Sequence, residues 1–441
     1  MNIRLHKHPD FTRWAMVALL LFGFALRIYR TGDRAVWWDE GWSVWLARHS
    51  LIAIAQEAAH DVHPPLYFWL LHGWRSLLGD SEFALRLLSA VFGTLSIAAT
   101  YLLGKAMAGR TVGLLAALLL TVSRFPIIWS QEIRMYALAL LLALLAAWAA
   151  VRYWDAGERE TGLLPKAQFL AAYSVFTTAG LLTLYLFFPV PIAINVAFLW
   201  QWRQKKWGWK VAAEWALAQT AVLIPIALWL NYALGGFLSN SSATPISVWD
   251  FLKIYWTVLV MGIPLNVDAF ARYTLPVLAI FLVGTAVLLH QARKNWRVGR
   301  NITLLLVGLL LPIAVVIYIT IPKEGAYAPP FSPRYLVIFA GYFAILLAWG
   351  IKQVASGKWQ VAVVLTSVVL YTSWVGMKDY HHGRVMVDDY PSLTATLAAY
   401  VQPADAVVLY ADRDWPIFAY HYAGEWNGLP SGWNVDAETA V

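Results

Sequence analysis

The sequence predicts an all-α protein that crosses a membrane about eleven times. Of its 441 residues, 60% are hydrophobic and 13% are charged, whereas a water-soluble protein has roughly 45–50% apolar and about 25% charged residues. The 25 tryptophans point the same way, because their amphipathic rings favour the bilayer interface. So few charged residues cannot cover a globule of this size in water, and membrane lipids are therefore the expected surroundings.

Eleven apolar runs are expected to form the spans. The first follows a basic N-terminus, as in a secretory signal, but no small-residue cleavage site follows it, so we expect it to be retained. Several runs are shorter than about 20 residues, which leaves the number open by about two. The runs are Trp14–Ile28, Phe83–Lys105, Val112–Val122, Ile133–Val151, Phe169–Leu186, Pro189–Trp200, Val211–Leu230, Tyr273–Leu289, Ile302–Ile319, Tyr335–Ile351 and Gln360–Trp374.

The placement of the basic residues predicts the orientation. If the N-terminus is cytoplasmic and the spans alternate, short inside loops hold most of the Lys and Arg, as the positive-inside rule requires. The net charge of +8 then indicates topology, and no nucleic acid is expected as a partner. The long segments, Tyr29–Glu82, Asn231–Arg272 and the tail from Lys378, fall outside, so we expect the chemistry at the outer face of the cytoplasmic membrane.

Two regions are predicted along the chain. Residues 1–377 form the transmembrane domain, and residues 378–441 form an extracytoplasmic C-terminal segment. Within that segment Pro391–Tyr400 is expected to be a helix, Ala406–Tyr410 a strand and Trp415–Tyr422 another helix. This resembles the beginning of an α/β unit that is too short to complete a core alone.

The first outer segment contains paired acids, Asp39 and Glu40. Trp38, Trp42 and Trp45 share one face of a helix, which predicts a helix lying along the membrane surface. One interpretation makes Asp39 an N-cap and Glu40 a first-turn acid that favours the helix dipole. The other makes Asp39 a catalytic general base at the membrane edge, with Glu40 as a catalytic residue in a supporting part.

A second motif in the same segment contains His60, Asp61 and His63. Pro64 and Pro65 follow, and they predict the start of a second surface helix, since Pro is tolerated in a first turn. Two histidines and an acid could ligate a divalent metal, but they are also ordinary loop residues. No cofactor is required by the prediction, and a metal remains the alternative. With no cysteine in the chain, disulfides and thiol nucleophiles are excluded.

The later outer loops contain Glu132 and Arg134, then Lys323 and Arg334. The first two are either interfacial residues or an arginine directed at a phosphate with an acid that orients it. Lys323 and Arg334 break the positive-inside pattern, which favours a local anionic partner for them.

Together these residues predict a carboxylate base opposite cations that bind a phosphate. Glycosyl transfer from a lipid-phosphate sugar needs both: the base deprotonates an acceptor hydroxyl, and the cations stabilise charge on the leaving phosphate. A transporter or flippase of lipid-linked saccharides is the alternative, but it should place ionisable residues in mid-span at broken helices. A scaffold without catalysis is a third interpretation, disfavoured by the paired acids.

These motifs resemble bacterial GT-C glycosyltransferases, in particular those related to protein O-mannosyltransferases and aminoarabinose transferases. The resemblance rests on Trp38-Asp39-Glu40, His63-Pro64-Pro65-Leu66-Tyr67, Gln131-Glu132-Ile133-Arg134-Met135-Tyr136 and Arg334-Tyr335-Leu336, in register with the helix pattern over about residues 10–350.

The resemblance implies a GT-C fold and an inverting transfer from a polyprenyl-phosphate sugar to a protein, lipid or glycan acceptor. It implies that Asp39 is the catalytic acid of the first loop, with Glu132, Arg134 and Arg334 at the donor phosphate. His63 stands where aminoarabinose transferases commonly have lysine, so a phosphate contact there would depend on pH. It also implies catalysis without a bound metal, as in the related protein enzymes.

Overall fold

A computed structural model describes most of the chain. The described residues are 9–158, 163–205, 207–233, 247–262, 266–320, 332–382, 389–402, 405, 407–410 and 415–429. Lys323 lies outside them, as do the flanking residues of its loop.

The described residues form α-helices and two short strands. The helices are α1 (Pro9–Ile28), α2 (Trp38–Ala47), α3 (Leu51–Ala59), α4 (Leu66–Leu78), α5 (Glu82–Ala108), α6 (Arg110–Val122), α7 (Arg124–Ser130), α8 (Tyr136–Glu158), α9 (Leu163–Leu181), α10 (Pro189–Lys205), α11 (Trp209–Ala233), α12 (Val248–Met261), α13 (Val267–Ala271), α14 (Leu275–Ala292), α15 (Trp296–Thr320), α16 (Ala340–Ala355), α17 (Trp359–His382), α18 (Tyr390–Tyr400) and α19 (Trp415–His421). The strands are β1 (Val408–Tyr410) and β2 (Asn427–Leu429).

The predicted all-α multi-pass architecture is confirmed. Each of the eleven predicted runs overlaps one of these helices. Within the described ranges, nine helices are long and apolar enough to cross a membrane, and α6 with α7 makes a tenth span bent by 61°. Helix α9, with 19 residues, corresponds to the remaining run but is not among those nine. The described residues thus support nine or ten spans by length and composition, where the sequence predicts about eleven.

Helices α8 and α16 form the centre of the bundle. In their most apolar stretches 83% and 89% of the residues are buried, against 22% for α1 and 17% for α11, so the latter are left to face lipid. Small residues allow close helix packing, as is usual in membranes. A Cβ added to Gly284 on α14 would lie 2.6 Å from the Gly350 Cα on α16.

The segments predicted to lie outside meet at one end of the bundle, which we call the outer end. Asp39, Arg134 and Arg334 lie together there. The predicted inside loops meet elsewhere, where Arg300 Nη1 donates to Asp155 Oδ1 at 3.0 Å. The assumed alternation of the spans therefore groups the loops as the structure does.

The first outer segment forms three surface helices. Helix α2 begins after Trp37, whose backbone is extended. Helix α3 is capped by Ser50, which accepts from the Ala53 N–H, and α4 follows Pro65. Asp39 is thus inside the first turn of α2, and the alternative that it is the N-cap is wrong.

The C-terminal segment covers α2. Strands β1 and β2 pair in parallel and flank α19, which packs on α2 so closely that a Cβ on Gly41 would lie 2.6 Å from the Pro416 carbonyl oxygen. The Trp415 ring lies edge-on to Trp42 and Trp45, at 5.8 and 5.1 Å between centroids. These two rings therefore face α19, and the expectation that they rest on the membrane is wrong. The reason is a contact across some 370 residues, which no local pattern reveals.

Candidate active site

Three charged side chains from separate segments meet at the outer end. The Asp39 carboxylate, on α2, accepts a hydrogen bond at Oδ2 from Arg334 Nη1, and Arg134 Nη2 lies 3.9 Å from the same oxygen. Arg334 follows Pro333 in a 3₁₀ turn that leads into α16, and Arg134 lies between α7 and α8. Asp39 is 15% exposed, so the group is largely shielded and still reachable from outside.

Arg134 is held in one orientation. Its Nη1 donates to the Asp39 backbone oxygen at 3.0 Å and to Ser43 Oγ at 3.1 Å. Its Nη2 lies 3.3 Å from His63 Nε2. The side chain is only 2% exposed, and its acidic neighbours Asp39 and Asp61 raise the pKa of the guanidinium against the effect of burial. Arg134 is therefore charged throughout the physiological pH range.

The group has unsatisfied hydrogen-bonding capacity and excess positive charge. Arg134 Nε and Arg334 Nε are buried and have no hydrogen-bond partner in the part of the chain that the structure describes. Both arginines approach the same oxygen of Asp39, Oδ2. Two guanidinium charges face one carboxylate, which leaves a net positive charge. Buried donors of this kind are costly unless something satisfies them, and an anion with several oxygens would do so.

Glu40 does not face this group. Its carboxylate accepts from Arg86 Nε at 2.9 Å and from Arg86 Nη2 at 2.6 Å, and from the Ile133 N–H at 2.9 Å. Both side chains of the ion pair are 0% exposed. Arg86 Nη1 also donates to the carbonyl oxygens of Thr31 and Arg34. Glu40 thus joins α2, α5 and the loop that contains Arg134, and a bidentate pair of this kind fixes geometry.

Glu132 is likewise turned away from Arg134. It accepts from Arg34 and from the Trp37 indole N–H, and its side chain is 4% exposed. Burial raises the pKa of the Glu132 carboxyl, more than the Arg34 guanidinium lowers it. Glu132 therefore fixes the residues that precede α2 and does not touch the Asp39 group.

His63 faces Arg134, and Asp61 lies behind it. His63 Nδ1 is 3.5 Å from Asp61 Oδ2, and the Trp42 indole N–H donates to that oxygen at 3.2 Å. His60, Asp61 and His63 do not converge as three metal ligands, and no other such group of His, Asp or Glu occurs within the described ranges.

The structure thus brings together Asp39, Arg134, Arg334 and His63, as the sequence motifs predict. It places Glu40 and Glu132 in adjacent ion pairs, while Lys323 lies outside the described residues. Sequence reasoning missed Arg34 and Arg86, which pair with those acids. Arg86 did carry a signal, because a charge inside a predicted span marks a structural or functional contact.

Comparisons with known proteins agree with this fold. Residues 62–232 match the family model described as dolichyl-phosphate-mannose-protein mannosyltransferase. No curated protein sequence matches the chain.

Solved structures match over nearly the whole chain. The apo crystal structure of ArnT from Cupriavidus metallidurans is similar with a TM-score of 0.68 and 12% identity, over 96% of this chain and 87% of that one. Its complex with undecaprenyl phosphate gives a TM-score of 0.64 and 14% identity, over 96% and 86%. The apo oligosaccharyltransferase from Archaeoglobus fulgidus gives 0.60 and 12%, over 96% and 65%. At such identities the likeness shows the shared fold.

Proposed function

We propose that this chain is a GT-C glycosyltransferase related to the protein O-mannosyltransferases and the aminoarabinose transferases, and that it transfers a polyprenyl-phosphate-linked sugar with inversion. The family description names a dolichyl-phosphate sugar, and ArnT has been solved with undecaprenyl phosphate. The acceptor is a hydroxyl group of a protein, lipid or glycan. The reaction takes place at the outer face of the cytoplasmic membrane, where the long loops are predicted to lie.

One observation carries the proposal: Asp39 stands against two arginines whose buried Nε atoms lack partners in the described residues. A carboxylate alone would serve many roles. A carboxylate beside a buried and only partly satisfied cationic pair suits a reaction in which a neutral hydroxyl is activated while a phosphate ester departs.

The proposed reaction is a single displacement. The Asp39 carboxylate takes the proton of the acceptor hydroxyl. The hydroxyl oxygen forms a bond to the anomeric carbon while the bond from that carbon to the phosphate oxygen breaks. The electron pair leaves with the polyprenyl phosphate, and Arg134 and Arg334 stabilise the added negative charge. Displacement from the opposite face inverts the anomeric centre.

Glu40 and Glu132 act in this scheme as positioning residues. Glu40 binds Arg86 and the Ile133 N–H, and so sets the distance between α2 and the loop that contains Arg134. Glu132 binds Arg34 and Trp37, directly before α2. His63 contacts the guanidinium of Arg134, and not the Asp39 carboxylate.

The test is transfer by the Asp39→Asn variant in membranes, with synthetic polyprenyl-phosphate sugars as donors. Asn keeps the size of Asp but is not a base, so we expect transfer to fall by about 10²–10⁴-fold while polyprenyl phosphate still binds. Asp33→Asn is the matched control, because Asp33 is in the same outer segment and pairs with Arg30 at the surface. Undiminished transfer by Asp39→Asn would exclude the catalytic role. Movement of the donor across the membrane without transfer would favour the transporter.

A further inference from the structure

Asp61 and His63, in the loop before α4, form a pair that the proposed reaction does not use. His63 Nε2 lies 3.3 Å from Arg134 Nη2. On the other side of the ring, Nδ1 faces Asp61 Oδ2 at 3.5 Å. Asp61 is fixed in turn by the Val62 N–H at 2.6 Å and the Trp42 indole N–H at 3.2 Å. The side chains of His63 and Asp61 are 12% and 17% exposed, so the pair is mostly shielded from water.

The two partners determine where the ring of His63 carries its hydrogen. A guanidinium has only N–H donors, so the His63 Nε2 atom that Arg134 approaches must supply a lone pair. The ring hydrogen then lies on Nδ1, which is buried without a hydrogen-bond partner in the described residues and faces the Asp61 carboxylate 3.5 Å away. In this arrangement the ring is neutral.

The charges around the ring favour that neutral form. The charged groups that face His63 are Asp61 from its own loop, Arg134 from the loop before α8 and Asp39 from α2. Burial lowers the pKa of His63 below its ordinary value of 6.5, and Arg134 lowers it further, while Asp61 and Asp39 oppose them. Neutral His63 therefore accepts from Arg134 near pH 7.

Protonation would change this contact from attraction to repulsion. The Nε2 atom would gain a hydrogen and lose the lone pair that Arg134 uses, and two cations would then face each other. Arg134 would keep its bonds to the Asp39 carbonyl and Ser43 but lose the hydrogen bond from Nη2 to His63.

We propose that Asp61 and His63 are positioning residues that hold the Arg134 guanidinium towards the donor phosphate while His63 is neutral and release it when His63 is protonated. This inference rests on the proposed function, because it takes Arg134 as a ligand of that phosphate. It differs from a direct contact between a protonated His63 and the phosphate. A direct contact would strengthen donor binding in acid, whereas release of Arg134 weakens it.

Two substitutions distinguish the role of His63 Nε2 from that of His63 Nδ1. His63→Gln places an amide oxygen near the position of Nε2, so it can still accept from Arg134 but does not titrate. His63→Asn reaches only as far as Nδ1, so it is the matched control that cannot meet Arg134. Asp39 is intact in both variants.

We expect the donor KM of the wild type to be about tenfold higher at an acid pH at which His63 is protonated than at about pH 7.5, the cost of one lost hydrogen bond to a charged group. In His63→Gln the donor KM should stay low at both pH values. In His63→Asn it should be raised about tenfold at both. A wild-type donor KM that falls in acid, or an acid dependence that persists in His63→Gln, would overturn the proposal.

Nitrogen NMR of isotope-labelled histidine rings tests the pair without any sugar transfer. The signal that disappears in His63→Gln identifies His63 among the 10 histidines. We expect the neutral tautomer with hydrogen on Nδ1, shifted towards Nε2–H in Asp61→Ala. A ring that is cationic, or carries its hydrogen on Nε2, near pH 7 would refute the proposal. The expected tautomer in a wild-type chain that moves no sugar would instead contradict the proposed function alone.

Discussion

Glu40 and Arg86 form a bidentate ion pair whose side chains are both fully buried. Removing one partner leaves the other charge buried alone, which typically costs about 3–5 kcal/mol. We therefore expect Glu40→Ala to lower the unfolding temperature strongly, measured by thermal unfolding in detergent, with activity lost as a consequence. Glu82→Gln is the control, since Glu82 contacts the same guanidinium at 3.4 Å with a side chain that is 22% exposed. Equal stability of Glu40→Ala and the wild type would show that the pair does not hold α2.

Substitution of Arg334 or Arg134 should impair the use of the donor more than the use of the acceptor. Replacing either with Gln removes a charge from the leaving-group side, and we expect kcat/KM for the donor to fall about a hundredfold. Steady-state kinetics with each substrate varied in turn measures the effects on donor and acceptor kcat/KM separately.

Arg272→Gln is the control for these variants, because Arg272 is an exposed cation before α14 that lines a separate surface groove. A loss confined to the acceptor KM would contradict the assignment of the two arginines to the phosphate.

Gly41 lets α19 approach α2. A Cβ there would lie 2.6 Å from the Pro416 carbonyl oxygen and 3.0 Å from the Ile417 nitrogen, so backbone must move. We expect Gly41→Ala to lower stability by about 1–3 kcal/mol and to accelerate proteolysis of the C-terminal segment. In Gly32→Ala, where the added Cβ meets nothing within 4 Å, both properties should be unchanged. Proteolysis at the wild-type rate in Gly41→Ala would mean that α19 does not rest on α2.

Stability should fall in acid because of His63. Its pKa in the folded chain is below 6.5, so as the pH falls from 6.5 towards the folded pKa the unfolded chain binds a proton that the folded chain does not. The contribution of His63 is therefore fully present above 6.5 and is lost below it. His63→Gln should remove this part of the pH dependence of the unfolding temperature, and an unchanged pH profile would argue against it.

The predicted orientation can be checked by labelling, because the chain has no cysteine of its own. Gln56, on α3, and Gln360, on α17, are both exposed and are predicted to lie on opposite sides. A membrane-impermeant maleimide applied to intact cells should label Gln56→Cys but not Gln360→Cys, and both after permeabilisation. The reverse result would invert the topology.

The sequence could predict where the apolar helices lie and which loops share an end of the bundle, because hydrophobic length and charge bias are local properties. It also identified Asp39, Arg134, Arg334 and His63 as residues that lie at the same end of the helical bundle. It could not predict that Glu132 turns towards Arg34. The partner of Glu132 depends on how loops about 100 residues apart pack together. By spacing alone, the acids of the first-loop motif and the acid of the second-loop motif fit a phosphate site equally well.

For the same reason, the sequence could not predict what covers the Trp42 and Trp45 rings on α2. Trp42 and Trp45 have the spacing of a membrane-facing stripe, and the spacing was right about their common face. What covers that face is Trp415, and a helical period says nothing about the identity of the covering element.

Asp39 and Arg334 are separated by 295 residues, and this separation has a consequence during synthesis. At about 5–20 residues per second, a ribosome delivers Arg334 about 15–60 s after Asp39. During that interval the nascent chain exposes a carboxylate without the arginine that completes its surroundings. Under the proposed function, a ribosome that stalls before residue 334 leaves in the bilayer a fragment that lacks one of the two arginines and transfers no sugar.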